Sequence, residues 1–279
     1  MIVSIGDLLL DISIVPDGAL HADDDSPATI TVGGGGQAAN FCAWAASLGE
    51  HVRLVTRVGD DERGRALVAD LEATGVEVCA VWAFDPTGAI AVLVGPDGQR
   101  TMATQRGASV GLSPEDLEEV WFHDVRLLHV PAYSLFEEPL AAAARAAIAL
   151  VRDQGGALAV DLSSAAGLRA YGPSRMAYML AKLKPEVLFA TQTEADTLGV
   201  PLQQLAQIPI VKLGAAGCAV FGMQVAAPSV EVIDPTGAGD AFAAAFCVAW
   251  LAGATPVEAA ERAAGAASQA VTRAGARPG

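Results

Sequence analysis

The sequence predicts an α/β chain, a doubly wound, mostly parallel sheet with helices on both faces, carrying a small β lid. Three observations predict it. Short apolar runs alternate with helix-length segments over most of the chain. Those runs are continuously apolar rather than alternating, as strands covered on both faces are. Two stretches, about 12–33 and 84–108, interrupt the pattern with β-rich, turn-punctuated sequence. With 279 residues, 52% of them apolar and 18% charged, the chain is too hydrophobic for disorder as its main state. It reads as one domain over 1–279.

Each element has a local reason. Ile2–Ile5 is an apolar run stopped by Gly6, the pattern of a buried strand. Residues 11–33 alternate apolar and polar positions around Pro16-Asp17-Gly18, which predicts half-exposed strands. Residues 38–48 read as a helix ended by Gly49, followed by a strand at 52–55. Gly59-Asp60-Asp61 starts a helix that runs to about Ala73 and stops at Gly75, with a strand at 76–81. Between 82 and 110, turns at Pro86-Thr87-Gly88 and Pro96-Asp97-Gly98 separate runs at 89–94 and 101–104, a hairpin signature. Alternation then resumes, with strands at 127–130, 157–161, 187–190 and 210–213 and helices at 137–153, 174–183 and 194–198. A β-meander at 217–233 and two Ala-rich helices, 239–252 and 256–272, close the chain. The two β-rich inserts, leaving one edge, would pair as a lid over the carboxyl ends of the main strands, where open α/β sheets bind ligands.

Seventeen basic against 32 acidic residues give a net charge of −15. That field repels phosphate backbones and anionic lipid, so nucleic acid and membrane surfaces are excluded as partners. The longest apolar stretches, 140–151 and 241–252, fall short of the ~20 residues that span a bilayer. The amino end has no basic, signal-like region, and a cytoplasmic location is expected. Cysteines 42, 79, 218 and 247 form no CxxC pair and do not cluster with histidine, so neither zinc nor a disulfide framework is expected.

The most informative stretch is Asp234-Pro235-Thr236-Gly237-Ala238-Gly239-Asp240, followed by an apolar helix. Gly237 and Gly239 let successive backbone N–H groups converge at a helix amino end, an anion trap. A chain at −15 needs such a local device to hold a phosphate. Asp240 inside the trap repels phosphate, which suits a carboxylate aimed at a hydroxyl whose proton must leave. Taken alone, the same stretch is also an ordinary Gly-rich turn with an Asp cap.

This stretch resembles the second signature of the ribokinase-like (PfkB) carbohydrate kinases, and Gly35-Gly36-Gln37-Ala38-Ala39-Asn40, with Ser47-Leu48-Gly49, resembles the first. Val58-Gly59-Asp60-Asp61, Gly75-Val76, Gly98-Gln99-Arg100-Thr101, the run from Val211 to Gly217 and the run from Val271 to Ala276 stand in the family's order, so the resemblance covers nearly the whole chain. It implies transfer of the γ-phosphoryl group of ATP, with Mg²⁺, to a hydroxyl of a small sugar or sugar-like acceptor. Asp240 would be the general base, with the N–H groups of Gly237, Ala238 and Gly239 on the transferring phosphoryl. Asp11, Gly35, Gly36, Asn40 and Arg100 would bind the acceptor, and Thr191, Lys212, Gly214 and Gly217 the nucleotide. The family's Asn-x-x-Glu appears as Thr191-Gln192-Thr193-Glu194: Glu194 would hold the magnesium shell through water, while Thr191 replaces the usual Asn. Asp234 and Thr236 fall where relatives bind a monovalent cation, which leaves K⁺ activation open. A homodimer through the lid is a further expectation.

Three other readings remain. A nucleoside kinase of the same family differs only in its acceptor and would need an apolar or aromatic slot for the base, for which the lid offers mainly Trp82 and Phe84. Gly33-Gly34-Gly35-Gly36-Gln37-Ala38 also satisfies G-x-G-x-x-A, the mark of an NAD-dependent oxidoreductase, but that reading leaves 234–240 and the inserts unexplained. A non-catalytic ligand sensor is opposed by retention of Asp240. On charge alone a neutral sugar is favoured over a phosphosugar, for which only Arg100 and Arg106 are at hand near the lid.

Overall fold

A computed structural model describes residues 1–95 and 99–278; the turn expected at Pro96-Asp97-Gly98 lies outside the described residues. In chain order the strands are β1 (Ile2–Ile5), β2 (Leu9–Pro16), β3 (Ala28–Gly35), β4 (Val52–Gly59), β5 (Glu77–Ala83), β6 (Thr87–Val94) and β7 (Arg100–Gly107). They continue with β8 (Leu127–Pro131), β9 (Ala157–Asp161), β10 (Val187–Thr191), β11 (Ile208–Lys212), β12 (Cys218–Val220) and β13 (Met223–Val225). The α-helices are α1 (Gln37–Ser47), α2 (Glu62–Glu72), α3 (Leu140–Asp153), α4 (Ala165–Tyr171), α5 (Pro173–Leu183), α6 (Gln192–Leu198), α7 (Ala238–Leu251) and α8 (Pro256–Ala270).

Nine strands make the body, in the order β13-β12-β11-β10-β9-β8-β1-β4-β5, parallel except for the antiparallel edge pair β12 and β13. β10 shows why its sequence is apolar throughout. Val187 and Phe189 enter the core under α1, α7 and α8, while Leu188 and Ala190 enter the one under α3 and α5. Phe189 meets Phe242 and Phe246 edge-on, at 6.2 and 5.5 Å between ring centres. The body is thus helix, sheet, helix, the doubly wound class that its periodicity predicts. Among the described residues no helix is long and apolar enough to cross a membrane.

Three expectations shift. The meander at 217–233 stops at Val225, and 226–233 carries no strand. The helix expected to begin at 137 starts at Leu140, because Pro139 is its cap. α4, which Ser164 caps by accepting from the Gly167 N–H, went unread; its seven residues are too few for a periodic signal.

A second sheet, β3-β2-β6-β7, stands beside the body. β2 and β3 pair antiparallel, as do β6 and β7, and the parallel pairing of β2 with β6 joins the two β-rich inserts. The sheet is tied to the body where its strands leave it. Gly36, with φ 96°, turns β3 into α1, and a Cβ there would run into the Asp7 carbonyl oxygen. Asp61 caps α2 by accepting from the Gly64 N–H at 2.8 Å and also accepts from the N–H and hydroxyl of Thr87, both at 2.8 Å, at the start of β6.

One carboxylate therefore caps a body helix and anchors a strand of the second sheet. Burial opposes its ionised form, but the bonds from Thr87 and Gly64 outweigh burial and hold its pKa below the ordinary value. Asp61→Ala should lower unfolding free energy by about 2 kcal/mol at pH 7, read from urea titration. Because the folded pKa is depressed, the loss should shrink as pH falls below about 4, where the wild-type carboxyl takes up its proton. An unchanged urea midpoint at pH 7 would remove Asp61 from this role.

Candidate active site

The carboxyl ends of β9, β10 and β11 and the amino ends of α6 and α7 converge on one region, where Asp161, Thr191, Glu194, Lys212 and Asp240 meet. Gly237, in the left-handed region at φ 76°, caps α7, and a Cβ on it would collide with the carbonyl oxygen of Ala276. The turn therefore needs glycine both for its dihedral and for the tail packed against it. Asp240 is the third helical residue. The first-turn N–H groups have no intrahelical partner by helix geometry, and Ala238 makes only a 3.4 Å contact with the Pro235 carbonyl.

Asp240 Oδ2 accepts from Asn40 Nδ2 at 3.0 Å. Protein packed around the carboxyl raises its pKa to about 7; the Asn40 bond opposes the rise, Asp161 adds to it, and Lys212 and Arg277 lower it. Asp240 nonetheless retains contact with solvent, as a group that must meet a substrate requires.

Lys212 lies across the amino end of α7, its ammonium at ordinary contact distance from where a Cβ of Gly239 would sit. It donates to Asp161 Oδ2 at 2.6 Å, and Asp161 is 1% exposed. Burial alone would lower the Lys212 pKa, but Asp161, Glu194 and Asp240 outweigh it and hold the ammonium charged. Glu194 is buried and caps α6 with Thr191: its Oε2 accepts from the Thr191 N–H at 2.7 Å, and its own N–H donates to Thr191 Oγ1 at 3.3 Å. Burial and the nearby Asp161 raise the Glu194 pKa.

One cavity borders this centre and a second lies at the amino end of α1, whose Asn40 bonds Asp240; Asp240 itself lines neither. One of about 340 Å³ is lined by Lys212, Gly214, Gly217, Ala238, Gly239 and Phe242, with aliphatic residues of α8 and the 227–232 segment beyond. The other, about 640 Å³, lies between the small sheet and the body, lined by Asp7, Gly36, Gln37, Arg106, Tyr133 and Tyr171 among others. Arg106 grips Asp7 with both arms, Nε to Oδ2 at 2.9 Å and Nη2 to Oδ1 at 2.7 Å. Gln37 Oε1 is buried with no hydrogen-bond partner among the described residues.

Asp11 and Gly35 share a face of the small sheet, where a Cβ on Gly35 would lie 3.0 Å from that of Asp11. Burial and Asp234 raise the Asp11 pKa, while Arg100 and Arg277 oppose them. Arg100 reaches from β7 to donate to Thr236 Oγ1 at 2.8 Å. Asp234 accepts from the Thr236 N–H at 2.8 Å, the Thr236 hydroxyl at 2.5 Å and the Gly275 N–H at 2.9 Å. Burial opposes ionised Asp234, but these bonds prevail and lower its pKa.

Lys212, Gly214, Gly217, Ala238 and Gly239 thus share one cavity wall, while Thr191 does not line it and is occupied as a helix cap. Asn40 has one donor and one acceptor position committed within the protein. Trp82 and Phe84, weighed as a base slot, line neither cavity; Phe84 is fully exposed and Trp82 lies under Arg65. Asp161, Gln37, Tyr133, Tyr171 and Arg277 went unread as site residues. For Asp161 there was a signal, an acid ending an apolar strand at the ligand-binding edge of a parallel sheet.

A family model described as "pfkB family carbohydrate kinase" matches residues 1–279. The chain is 30% identical over 258 residues to an ATP-dependent ribose-1-phosphate kinase of Halopiger xanaduensis, covering 90% of this chain and 84% of that one. It is 29% identical to a ribokinase of Arabidopsis thaliana, covering 88% and 68% of the two chains. Among solved structures, an adenosine kinase from Sinorhizobium meliloti superposes with a TM-score of 0.88 at 26% identity, over 99% of this chain and 95% of that one.

The Lys212–Asp161 pair gives a direct test of what holds this edge together. Lys212→Met leaves Asp161 buried and unpaired, which should cost about 3–5 kcal/mol of stability in urea unfolding. Replacing both residues with apolar ones, Lys212→Met with Asp161→Leu, should recover most of the loss. A single variant as stable as wild type would show that Asp161 does not depend on the ammonium.

Proposed function

The chain belongs to the pfkB family of carbohydrate kinases, an ATP-dependent sugar or nucleoside kinase, and on that premise we propose that Asp240 is the base for transfer to the hydroxyl of a small neutral sugar. The single observation that carries this reading is the carboxylate of Asp240 at the amino end of α7, raised to a pKa of about 7. A base with that pKa is about half ionised at neutral pH, and basic enough to take a proton from a hydroxyl under attack. As the acceptor oxygen bonds to the γ-phosphorus, its proton passes to Asp240 and the bond to the β-phosphate oxygen breaks, releasing ADP. The N–H groups of Gly237, Ala238 and Gly239 face the charge on the transferring group.

The 340 Å³ cavity suits the nucleotide. Its aliphatic walls accept a base and ribose, and the Gly214 and Gly217 segment gives the backbone close access. Its inner end reaches Lys212 and the amino end of α7, where phosphates find positive charge. Magnesium travelling with ATP shields phosphate charge. Glu194, buried near Asp161 with one carboxylate oxygen on the Thr191 N–H, would hold the magnesium water shell through the other oxygen. Asp234 and Thr236 fit a monovalent cation poorly: the Asp234 carboxylate already accepts three hydrogen bonds, and the Arg100 guanidinium donates to the Thr236 hydroxyl.

The 640 Å³ cavity suits the acceptor, under a lid made of the β-rich inserts 12–33 and 84–108 within one domain. Asp11, Gly35, Gly36 and Asn40 border the path from this lid to Asp240 and offer polar groups to acceptor hydroxyls. A phosphosugar would require positive charge free to meet it: Arg106, the arginine gripped within the cavity, is neutralised by Asp7, and Arg175 is stacked on Tyr171. A nucleoside is the second reading, favoured by the aromatic wall of Tyr133, Phe136 and Tyr171.

Asp240→Asn should lower kcat by about a hundredfold or more, with KM for ATP little changed. In the wild type kcat/KM should fall tenfold per pH unit below about 7, as Asp240 takes up its proton. The raised folded pKa also means that the ionised carboxyl costs stability as pH climbs from about 4 to 7, so the variant should gain stability relative to wild type across that range. Near-normal turnover by folded Asp240→Asn would end the assignment.

Steady-state assays with ribose, fructose, 2-keto-3-deoxygluconate, ribose 1-phosphate and adenosine test the acceptor. A free neutral sugar should give the highest kcat/KM. Ribose 1-phosphate in first place would overturn the neutral reading, and adenosine would establish the second one.

A further inference from the structure

The last described turn of the chain comes back to the reaction centre, and its arginine has no place in the scheme so far. Arg277 donates from Nε to Asn40 Oδ1 at 3.1 Å and from Nη2 to the Gly35 carbonyl at 3.0 Å. The segment that delivers it is pinned: Ala276 O accepts from Trp44 Nε1 at 2.9 Å, Gly237 packs against the same residue, and Arg273 lies over the Trp44 ring. Arg277 approaches from behind the acceptor face. On β3, Gly34 pairs with Leu10 and Gly33 with Asp11, so Gly34 faces away from Asp11, and a Cβ on Gly34 would collide with the guanidinium.

We propose that Arg277 is a positioning residue for phosphoryl transfer, fixing the Asn40 amide and the root of the lid so that the Asp240 carboxylate faces the acceptor. The argument rests on hydrogen-bond polarity. A primary amide presents a carbonyl on one side and an NH₂ on the other, and a half-turn exchanges them. Guanidinium offers donors alone, so the amide oxygen must face Arg277 and the NH₂ must face Asp240. Without that donor Asp240 alone orients the amide, and a half-turn would aim its carbonyl at the carboxylate. The bond to Gly35 O ties the same guanidinium to the last residue of β3, where the small sheet meets α1.

The inference depends on Asp240 being the base, and the experiment separates the two. Kinetics against acceptor and ATP are measured for wild type, Arg277→Ala, Arg277→Lys, Gly34→Ala and Asp240→Asn, with melting temperatures alongside. Arg277→Ala should lower kcat by about tenfold to a hundredfold while KM for ATP stays within about twofold. The charged and polar groups facing Asp240 are Asn40 from α1, Asp161 from β9, Lys212 from β11 and Arg277 from the tail. Removing one of the two cations should therefore move the acid limb of kcat/KM to higher pH.

Arg277→Lys, which keeps the charge, should hold that limb near its wild-type place while recovering only part of kcat. Guanidinium added at millimolar concentration should restore part of the Arg277→Ala turnover. Gly34→Ala leaves Arg277 in the chain but displaces its guanidinium, and should shift kcat and the acid limb in the same direction. It keeps the test decisive should Arg277→Ala fail to fold. A purely structural tail would lower the melting temperature and leave the acid limb and kcat per folded enzyme untouched, which would overturn the proposal, as would absence of guanidinium rescue. Full activity in the Arg277 variants with an inactive Asp240→Asn refutes the positioning role and leaves the base in place. An active Asp240→Asn refutes both.

Discussion

A carboxylate enclosed at the amino end of α7 is the constraint around which the site is arranged. Enclosure raises the pKa of Asp240 and the neighbouring Asp161 raises it further, while the Asn40 bond, Lys212 and Arg277 pull it back. Were burial unopposed, the group would be neutral in the physiological range; were the cations closer, it would be too weak a base. The balance lies near 7 because donors and charges from four separate elements meet one carboxyl. Lys212 acts in two places: its short bond to Asp161 makes that buried acid tolerable, and the same ammonium lies beside the helix end expected to receive phosphate. Nucleotide phosphates arriving there would meet a cation already shared, so the Asp161 carboxylate tempers how tightly they are held.

The second structural theme is how the small sheet is fastened. Asp61 holds the start of β6, Arg106 pairs with Asp7, Arg100 spans to Thr236, and Arg277 takes the end of β3. All four are polar, and the Arg106–Asp7 pair lines the cleft itself. Polar ties of this kind can be exchanged for hydrogen bonds to substrate or water at modest cost, whereas buried apolar contact cannot. On the proposed function such fastening would suit a lid that parts and closes, and the Arg277, Asn40 and Asp240 bonds would link the end of β3 to the base through one amide.

Much of the body was legible because local rules and tertiary packing agree there. β10 reads as a buried strand since both its faces are covered, and α2 begins where Asp61 says it should, with its cap bond to Gly64. Short α4 was missed because seven residues give no periodicity, and the meander was overextended because the apolar residues of 226–233, among them Val230 and Val232, line a cavity instead of pairing. At the site, the Gly237 to Asp240 turn was readable as a helix start from its glycines, whereas the Gly35 to Asn40 turn stood out only by its resemblance to a family signature. Arg277 was not. It lies 237 residues from Asn40 in sequence, and an arginine near a chain end looks like a solvated one until the fold brings it to an amide.

The acceptor is the least legible feature, for the same physical reason. Specificity depends on which charges remain uncancelled, and cancellation is a property of contacts. In the sequence Arg106 stands as a candidate clamp for an anionic substrate; in the fold both its arms are spent on Asp7, 99 residues away. The pair presents a dipole, not a charge, to the cleft, and a dipole flanked by Gln37 and Tyr133 discriminates by the geometry of donors and acceptors rather than by long-range attraction. A global charge of −15 would oppose an anionic acceptor from afar, and the Arg106–Asp7 pair withdraws one local compensation. On the proposed function, nucleotide and acceptor would be separated by electrostatics as well as by space: phosphate would be received where a helix end and Lys212 supply positive charge, and hydroxyls where Arg106 is already matched by Asp7.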